Sequence, residues 1–447
     1  MTILPICAQT PSSTTLQRDF QSAMAAEDSG DLDRAQLLLS SLHERHPGIF
    51  EIDESLGLLY AGRENYSQAL AVLEAAVRER PTSEEAHANL GATLYKLHRN
   101  HDALIEFERA VKIDPRKVTA QQSLGQVLLD EHKPDRAVEA FSAALRLKPG
   151  DDDLNFSYAA ALVASARFDE AAQTLSSTSA SEQSALAQSL LGEIEESKGN
   201  FQSALQHFDR AVELEPTEEN AWSLGVELLR HWTFDAAIRE FEAATIKFPN
   251  STRMRFGLGA AYFGDSKFTA AVPVFADLLD ADKGNALYAE LLGMACTSVS
   301  GSTVSPRCSG LLTYAESHPH DAKAATYSAS MLLTENGSSD KTDVALKLLS
   351  SAISADPKLP DAQYQMGVLK QNQGDWVGSI SNLEVAIALK PDLAQAHYRL
   401  ALAYWRTGRK QEGQAEMELQ KKYSKQERED LDKRLRQITT FIVDVRH

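Results

Sequence analysis

From residue 16 to residue 421 the chain alternates apolar stripes of helical spacing with brief polar turns, and the alternation repeats about every 34 residues. In one unit Leu90, Leu94 and Leu97 form a first stripe, and Ala103, Phe107, Ala110 and Val111 form a second. Arg99, Asn100 and His101 separate them as a polar turn. Each unit therefore reads as helix A, turn, helix B. Neither helix can bury its stripe alone, so neighbouring units must stack.

Fixed residues punctuate the pattern. Pro47, Pro81, Pro115 and Pro149 follow one another at 34-residue intervals, and Pro216, Pro249, Pro357 and Pro391 resume the series. Proline suits the end of helix B because it cannot continue the helix. Twelve residues before these prolines stand Ala35, Ala69, Ala103, Ala137, Ala204, Ala237 and Ala345. Gly57, Gly91, Gly125, Gly192, Gly225 and Gly367 lie twenty-four before most of them, small enough to let paired helices approach closely. At the fifteenth position Gly30, Gly199, Gly374 and Gly408 suit a helix C-terminus that needs positive φ.

This arrangement resembles the tetratricopeptide repeat family, whose signature is Leu-Gly, Tyr, Ala, Phe, Ala and Pro across 34 residues. Leu56-Gly57, Tyr60, Ala69, Ala76 and Pro81 carry it in one unit; Leu124-Gly125, Ala137, Phe141, Ala144 and Pro149 carry it in another. Leu191-Gly192, Ala204, Phe208, Ala211 and Pro216 carry it in a third. The resemblance implies an all-α, right-handed superhelical solenoid of about twelve stacked helix–turn–helix repeats with a C-terminal capping helix. Residues 1–15 read as a flexible N-terminus and 16–285 as repeats 1–8, the fifth degenerate because the stretch Ser176-Ser177-Thr178-Ser179-Ala180-Ser181 replaces its proline. Residues 286–359 form two irregular repeats with insertions, 360–421 form repeats 11 and 12, and 424–447 form the capping helix. Ser424 and Glu427 have capping-box spacing before the Leu431, Leu435, Ile438, Ile442 and Val445 stripe. The β-branched run from Thr439 to Val445 predicts an early end to that helix, which would cap the last repeat or pair with a second copy. Pro273 falls inside a helix B, which should start late or kink.

Charge and chemistry narrow the function. A net charge of −18 argues against nucleic acid and anionic membranes, and no apolar run is long enough to span a bilayer. Met1 to Thr10 leave two readings open: the remnant of an export signal, or a plain cytoplasmic tail. Localisation leans towards export to the periplasm, with the cytoplasm as the alternative. No phosphate loop, nucleophile elbow or His-Glu-x-x-His motif occurs, so no catalytic residue, metal or cofactor is assigned. His43 with His46, and His318 with His320, read as surface polar residues. Cys296 and Cys308 sit near opposite ends of a Ser/Gly-rich insertion, where a disulfide and two buried free thiols are both open readings.

The resemblance also implies that helix A lines a concave groove, exposing positions two, five, nine, twelve and thirteen of each unit. Those positions give Phe20, Met24, Phe156, Val163, Trp222, Val226, Leu229, Phe256, Phe263, Tyr364, Tyr398 and Trp405. Of these, Phe156, Trp222, Val226, Leu229, Phe256, Phe263, Tyr364, Tyr398 and Trp405 are the candidate contact residues for a polypeptide partner, with packing between repeats as the competing role. The Lys, Asn and Arg that hold a terminal carboxylate in chaperone-tail binders are replaced mostly by Ser, Ala, Glu and Gln. The asparagine ladder of the family's glycosyltransferase arrays is absent too: the sixth position carries Gln21, Ser55, Asn89, Ser123, Ser157 and Ser223. The expectation is a non-catalytic scaffold or adaptor that binds polypeptide segments in an apolar groove. The alternative is a structural component of a bacterial envelope or secretion assembly that self-associates, a homo-oligomer through its C-terminal helix; glycan binding by the aromatics is a third.

Overall fold

A computed structural model describes the backbone of residues 11–299, 305–334 and 339–445, and the side chains of 15–299, 305–334 and 340–429. Among the described residues all regular structure is helical. The chain divides into two compact units, residues 1–204 and 205–447. The first contains α1 (Pro11–Asp28), α2 (Leu32–Arg45), α3 (Phe50–Gly62), α4 (Tyr66–Glu79), α5 (Glu84–Lys96), α6 (Asn100–Ile113), α7 (Val118–Asp130), α8 (Pro134–Leu147), α9 (Asp152–Ala164), α10 (Phe168–Ser176) and α11 (Ala185–Ser197). The division falls within α12 (Phe201–Leu214). The second continues with α13 (Glu218–Arg230), α14 (Phe234–Lys247), α15 (Thr252–Gly264), α16 (Phe268–Ala281), α17 (Ala286–Ser298), α18 (Ser309–Ser317), α19 (Ala322–Thr334), α20 (Ser339–Ala355), α21 (Pro360–Asn372), α22 (Trp376–Leu389), α23 (Ala394–Arg406) and α24 (Lys410–Val445).

Local chemistry explains these boundaries. Several of the A helices open on a capping side chain of one kind: Ser83, Asp151, Ser184, Thr217 and Ser251 each accept the backbone N–H three residues on, at 3.0–3.2 Å. These helices close on a left-handed residue, after which the next N–H returns to the carbonyl five residues back, as Arg99 does to Leu94 at 3.0 Å. Gly30, Gly199, Gly374 and Gly408 take that conformation, with φ of +79° to +85°. Glu64, His98, His132, Ala166, Trp232 and Ser266 take it too, at +56° to +61°, without a glycine's freedom.

Packing within a repeat turns on one contact, between the eighth and twenty-fourth positions. A Cβ added at Gly91, Gly125, Gly225 or Gly259 would lie 2.3–3.0 Å from the ring of Phe107, Phe141, Phe241 or Phe275 respectively. The last three of those rings are fully buried. Consecutive repeats are tied by the tyrosine at position eleven. Tyr60 meets Ser40 at 3.2 Å, Tyr262 donates to Glu242 at 2.5 Å, and Tyr404 donates to Glu384 at 2.7 Å, each spanning 20 residues.

A second tie lies at position four, where a buried polar side chain caps the preceding proline carbonyl. His87 reaches Pro81 O (3.1 Å), Gln121 reaches Pro115 O (3.2 Å) and His397 reaches Pro391 O (2.8 Å). The same residue often grips position twenty-three: His87 with Glu106 at 2.6 Å, Gln363 with Asn382 at 2.7 Å, His397 with Glu416 at 2.6 Å.

The irregular segments differ in helix B. α10 stops after 9 residues, and Ser181 Oγ donates to the Leu175 carbonyl at 2.6 Å in place of the proline turn. α18 is likewise 9 residues long, preceded by a 3₁₀ turn at Pro306–Cys308, whereas α20 lengthens to 17. The loops at 300–304 and 335–338, and the N-terminal residues 1–10 with their signal-remnant reading, lie outside the described residues.

Three expectations change. α1 begins at Pro11, ahead of the boundary drawn at residue 16. α16 does not start late: it opens at Phe268 after Lys267 and carries Pro273 within it, where the ring leaves the Thr269 carbonyl without its helical N–H. α24 runs unbroken through residue 424 to Val445, so Ser424 is an interior residue that accepts from Gln420 at 3.0 Å, and the helix does not end early. The apolar stripe beyond residue 429 lies outside the described side chains.

Candidate peptide-binding face

The helix-A residues singled out from sequence fall into two exposed patches and one core position. The larger patch is built by α13 and α15, which pack on one another. Trp222, Val226 and Leu229 lie on α13, Phe256 and Phe263 on α15, all half-buried. The Trp222 ring lies 5.8 Å from that of Phe241 on one side, and the Arg253 guanidinium stands over it at 4.5 Å. Arg253 in turn holds Glu219 at 2.5 Å. Phe256 meets Tyr288 of α17 with centroids 6.4 Å apart, and Phe263 meets Phe268 edge-on at 5.2 Å. Each aromatic thus packs one side into the repeat and leaves part of its surface to solvent.

The smaller patch lies on α21 and α23, which also pack together. Tyr364 is half-buried against the Ile380 and Leu383 cluster, while Tyr398 is 44% exposed and Trp405 38%. Trp405 also packs on α24, where a Cβ at Gly413 would come within 2.6 Å of the indole. Phe156 joins neither patch. It is 6% exposed, part of the core that includes Leu124, Leu128, Ala159 and Leu162, so its place at the fifth position of α9 is a packing one.

Residues missed from sequence extend the apolar surface. Leu287, at position two of α17 beside Tyr288, is 51% exposed; in the first unit, separately, Leu58 at position nine of α3 is 45% exposed. The same positional rule finds both. Around the patches the charges are tied to structure. Tyr262, and likewise Tyr404, is pushed up to about 12 by burial and by its hydrogen-bonded glutamate, so both hydroxyls stay protonated as donors between repeats.

Cys296 and Cys308 are both buried, their Cα atoms 6.1 Å apart and their sulfurs joined. Cys308, Leu312, Ser328, Met331 and Leu332 line a cavity of about 300 Å³ beside them. His43 is hydrogen-bonded to Asp53 and His318 is stacked on Tyr314, centroids 4.1 Å apart. Among the described residues no helix is long and apolar enough to cross a membrane.

Repeated helix pairs, closed by the same small-residue contact and linked by the same tyrosine tie, define a helical-repeat protein. Sequence models described as tetratricopeptide repeat match residues 20–84, 55–118, 88–152, 128–194, 185–218, 223–286 and 394–426, and one described as TPR repeat matches 372–408. The chain belongs to the tetratricopeptide repeat family. The long unmatched stretch, 287–371, contains the irregular repeats. A search of curated proteins returns no match. Among solved structures, the chain is 23% identical to MamA over 42% of its own length and 96% of that chain, with a TM-score of 0.36. It is 18% identical to Pseudomonas aeruginosa pilF over 47% of this chain and 96% of that one (TM-score 0.39). The Cut9–Hcn1 hetero-tetramer of the APC/C aligns at 15% identity over 93% and 89% (TM-score 0.40).

Proposed function

We propose that this chain is a non-catalytic scaffold that binds an apolar polypeptide segment across the helix-A face of α13 and α15. The observation that carries the reading is the grouping of Trp222, Val226, Leu229, Phe256 and Phe263 on two packed helices, each with part of its apolar surface left in water. Ring surface of this kind costs free energy to hydrate, and aromatic anchors dominate binding at protein interfaces. Arg253 fixes the Trp222 ring from above, so the anchor is ordered before a partner arrives. Peptides selected on the intact chain from a random display library should lose about tenfold or more in affinity to the Trp222→Ala/Phe256→Ala variant. Selected peptides that bind the variant as tightly as the original chain would rule this face out.

A second reading, a self-associating component of an envelope assembly, is favoured by the joined Cys296 and Cys308, since such bridges persist in oxidising compartments. Light scattering on the purified chain decides it: a monomer at all concentrations excludes self-association.

A further inference from the structure

The junction between the first two repeats buries two carboxyl oxygens that no donor reaches. Asp53, the fourth residue of α3, is fully buried. Its Oδ1 takes His43 Nδ1 at 2.5 Å, while its Oδ2 has no hydrogen-bond partner. Glu79, the last residue of α4, turns its carboxyl towards Asp53, and its Oε2 is buried and equally unpartnered. At the position of Asp53 other repeats place His87, Gln121 and His397, which donate N–H groups to a proline carbonyl. Aspartate cannot do so. A carboxylate at a helix C-terminus is further disfavoured by the helix dipole. Two buried carboxylate oxygens facing one another are tolerable when a proton lies between them, because the acid then donates to the carboxylate.

We propose that Asp53 and Glu79 share one proton and so form a proton-dependent latch that ties α2, α3 and α4 together, fixing repeat 1 to repeat 2. The titratable and charged groups facing Glu79 are His43 from α2, Asp53 from α3 and Arg78 from α4. Burial first, then the charge of Asp53, push the Glu79 carboxyl up from 4.5 to about 6, while His43 and Arg78 pull it down. An acid raised in the folded state binds its proton more tightly there than in the unfolded chain. Its contribution is therefore full below 4.5 and is lost as pH rises through 6. The latch holds in mild acid and slackens at neutral pH.

Hydrogen–deuterium exchange of the full chain at pH 5 and pH 7.5, corrected for intrinsic exchange, tests this. Amides of α2 and α3 should lose about tenfold in protection relative to α7 between the two values. Glu79→Gln supplies a permanent donor to Asp53, and should keep the acid-level protection at pH 7.5. Asp53→Asn does the same from the other side and serves if Glu79→Gln folds poorly. Wild-type protection that is unchanged with pH, or variants that follow the wild-type pH dependence, would overturn the proposal.

Discussion

Replacing Gly125 by alanine tests the close contact that recurs at Gly91, Gly225 and Gly259. The new Cβ would lie 2.7 Å from Phe141 Cζ and 2.8–2.9 Å from both Cε atoms, against the 3.5–4.0 Å at which carbon atoms rest. Phe141 is fully buried, so the ring can yield only by pushing α7 and α8 apart. Overpacking of this kind costs about 1–3 kcal/mol, and the better helix propensity of alanine returns about 1 kcal/mol, leaving a net loss of up to about 2 kcal/mol. Gly62 provides the control. It ends α3 with nothing within 4 Å of where a methyl group would stand, so Gly62→Ala should be neutral or stabilising by up to about 1 kcal/mol. Rescue should come from Phe141→Leu, because the same two positions of repeat 5 carry Ala159 and Leu175. The double variant should be less destabilised than the sum of the singles by about 1 kcal/mol. A repeat array unfolds by parts, so the quantity to measure is hydrogen-exchange protection of α7 and α8 rather than a single melting midpoint. Protection in Gly125→Ala equal to or better than in Gly62→Ala, or strict additivity in the double variant, would refute the argument that close approach is what demands glycine here.

Three further outcomes follow from single sites. Ala166 holds φ of +56° at an exposed turn, so Ala166→Gly should stabilise repeat 5 by about 0.5–1 kcal/mol, read as slower exchange in α9 and α10. Phe156→Ala should cost about 3–5 kcal/mol and expose repeat 5 to limited proteolysis, whereas Trp222→Ala should leave proteolysis nearly unchanged while weakening peptide binding. Cys308→Ser should cost roughly 2–3 kcal/mol under oxidising conditions and nothing further after reduction. Alkylation of both Cys296 and Cys308 in the unfolded chain without reductant would show that no bridge forms.

Much of the fold was legible because the residues that mark it are identical from repeat to repeat. Pro81, Gly125 and Ala137 each answer a steric demand that few other side chains meet, so the demand writes the same letter every 34 residues. The position-four clamp was not legible, because hydrogen bonding asks only for complementary groups: His87 with Glu106 and Gln363 with Asn382 meet it with different letters. Ser424 misled for a related reason. Capping-box spacing satisfies the start of a helix, but four residues of the same kind sit equally well inside one, and nothing after Gly413 in α24 breaks the helix. The binding face is the hardest case. Phe156 and Phe256 occupy the same position of helix A, yet one is core and the other half-exposed, because neighbouring side chains decide how far each ring is covered. Periodicity can therefore nominate a groove residue, while burial, which depends on the whole stack, separates an anchor from a strut.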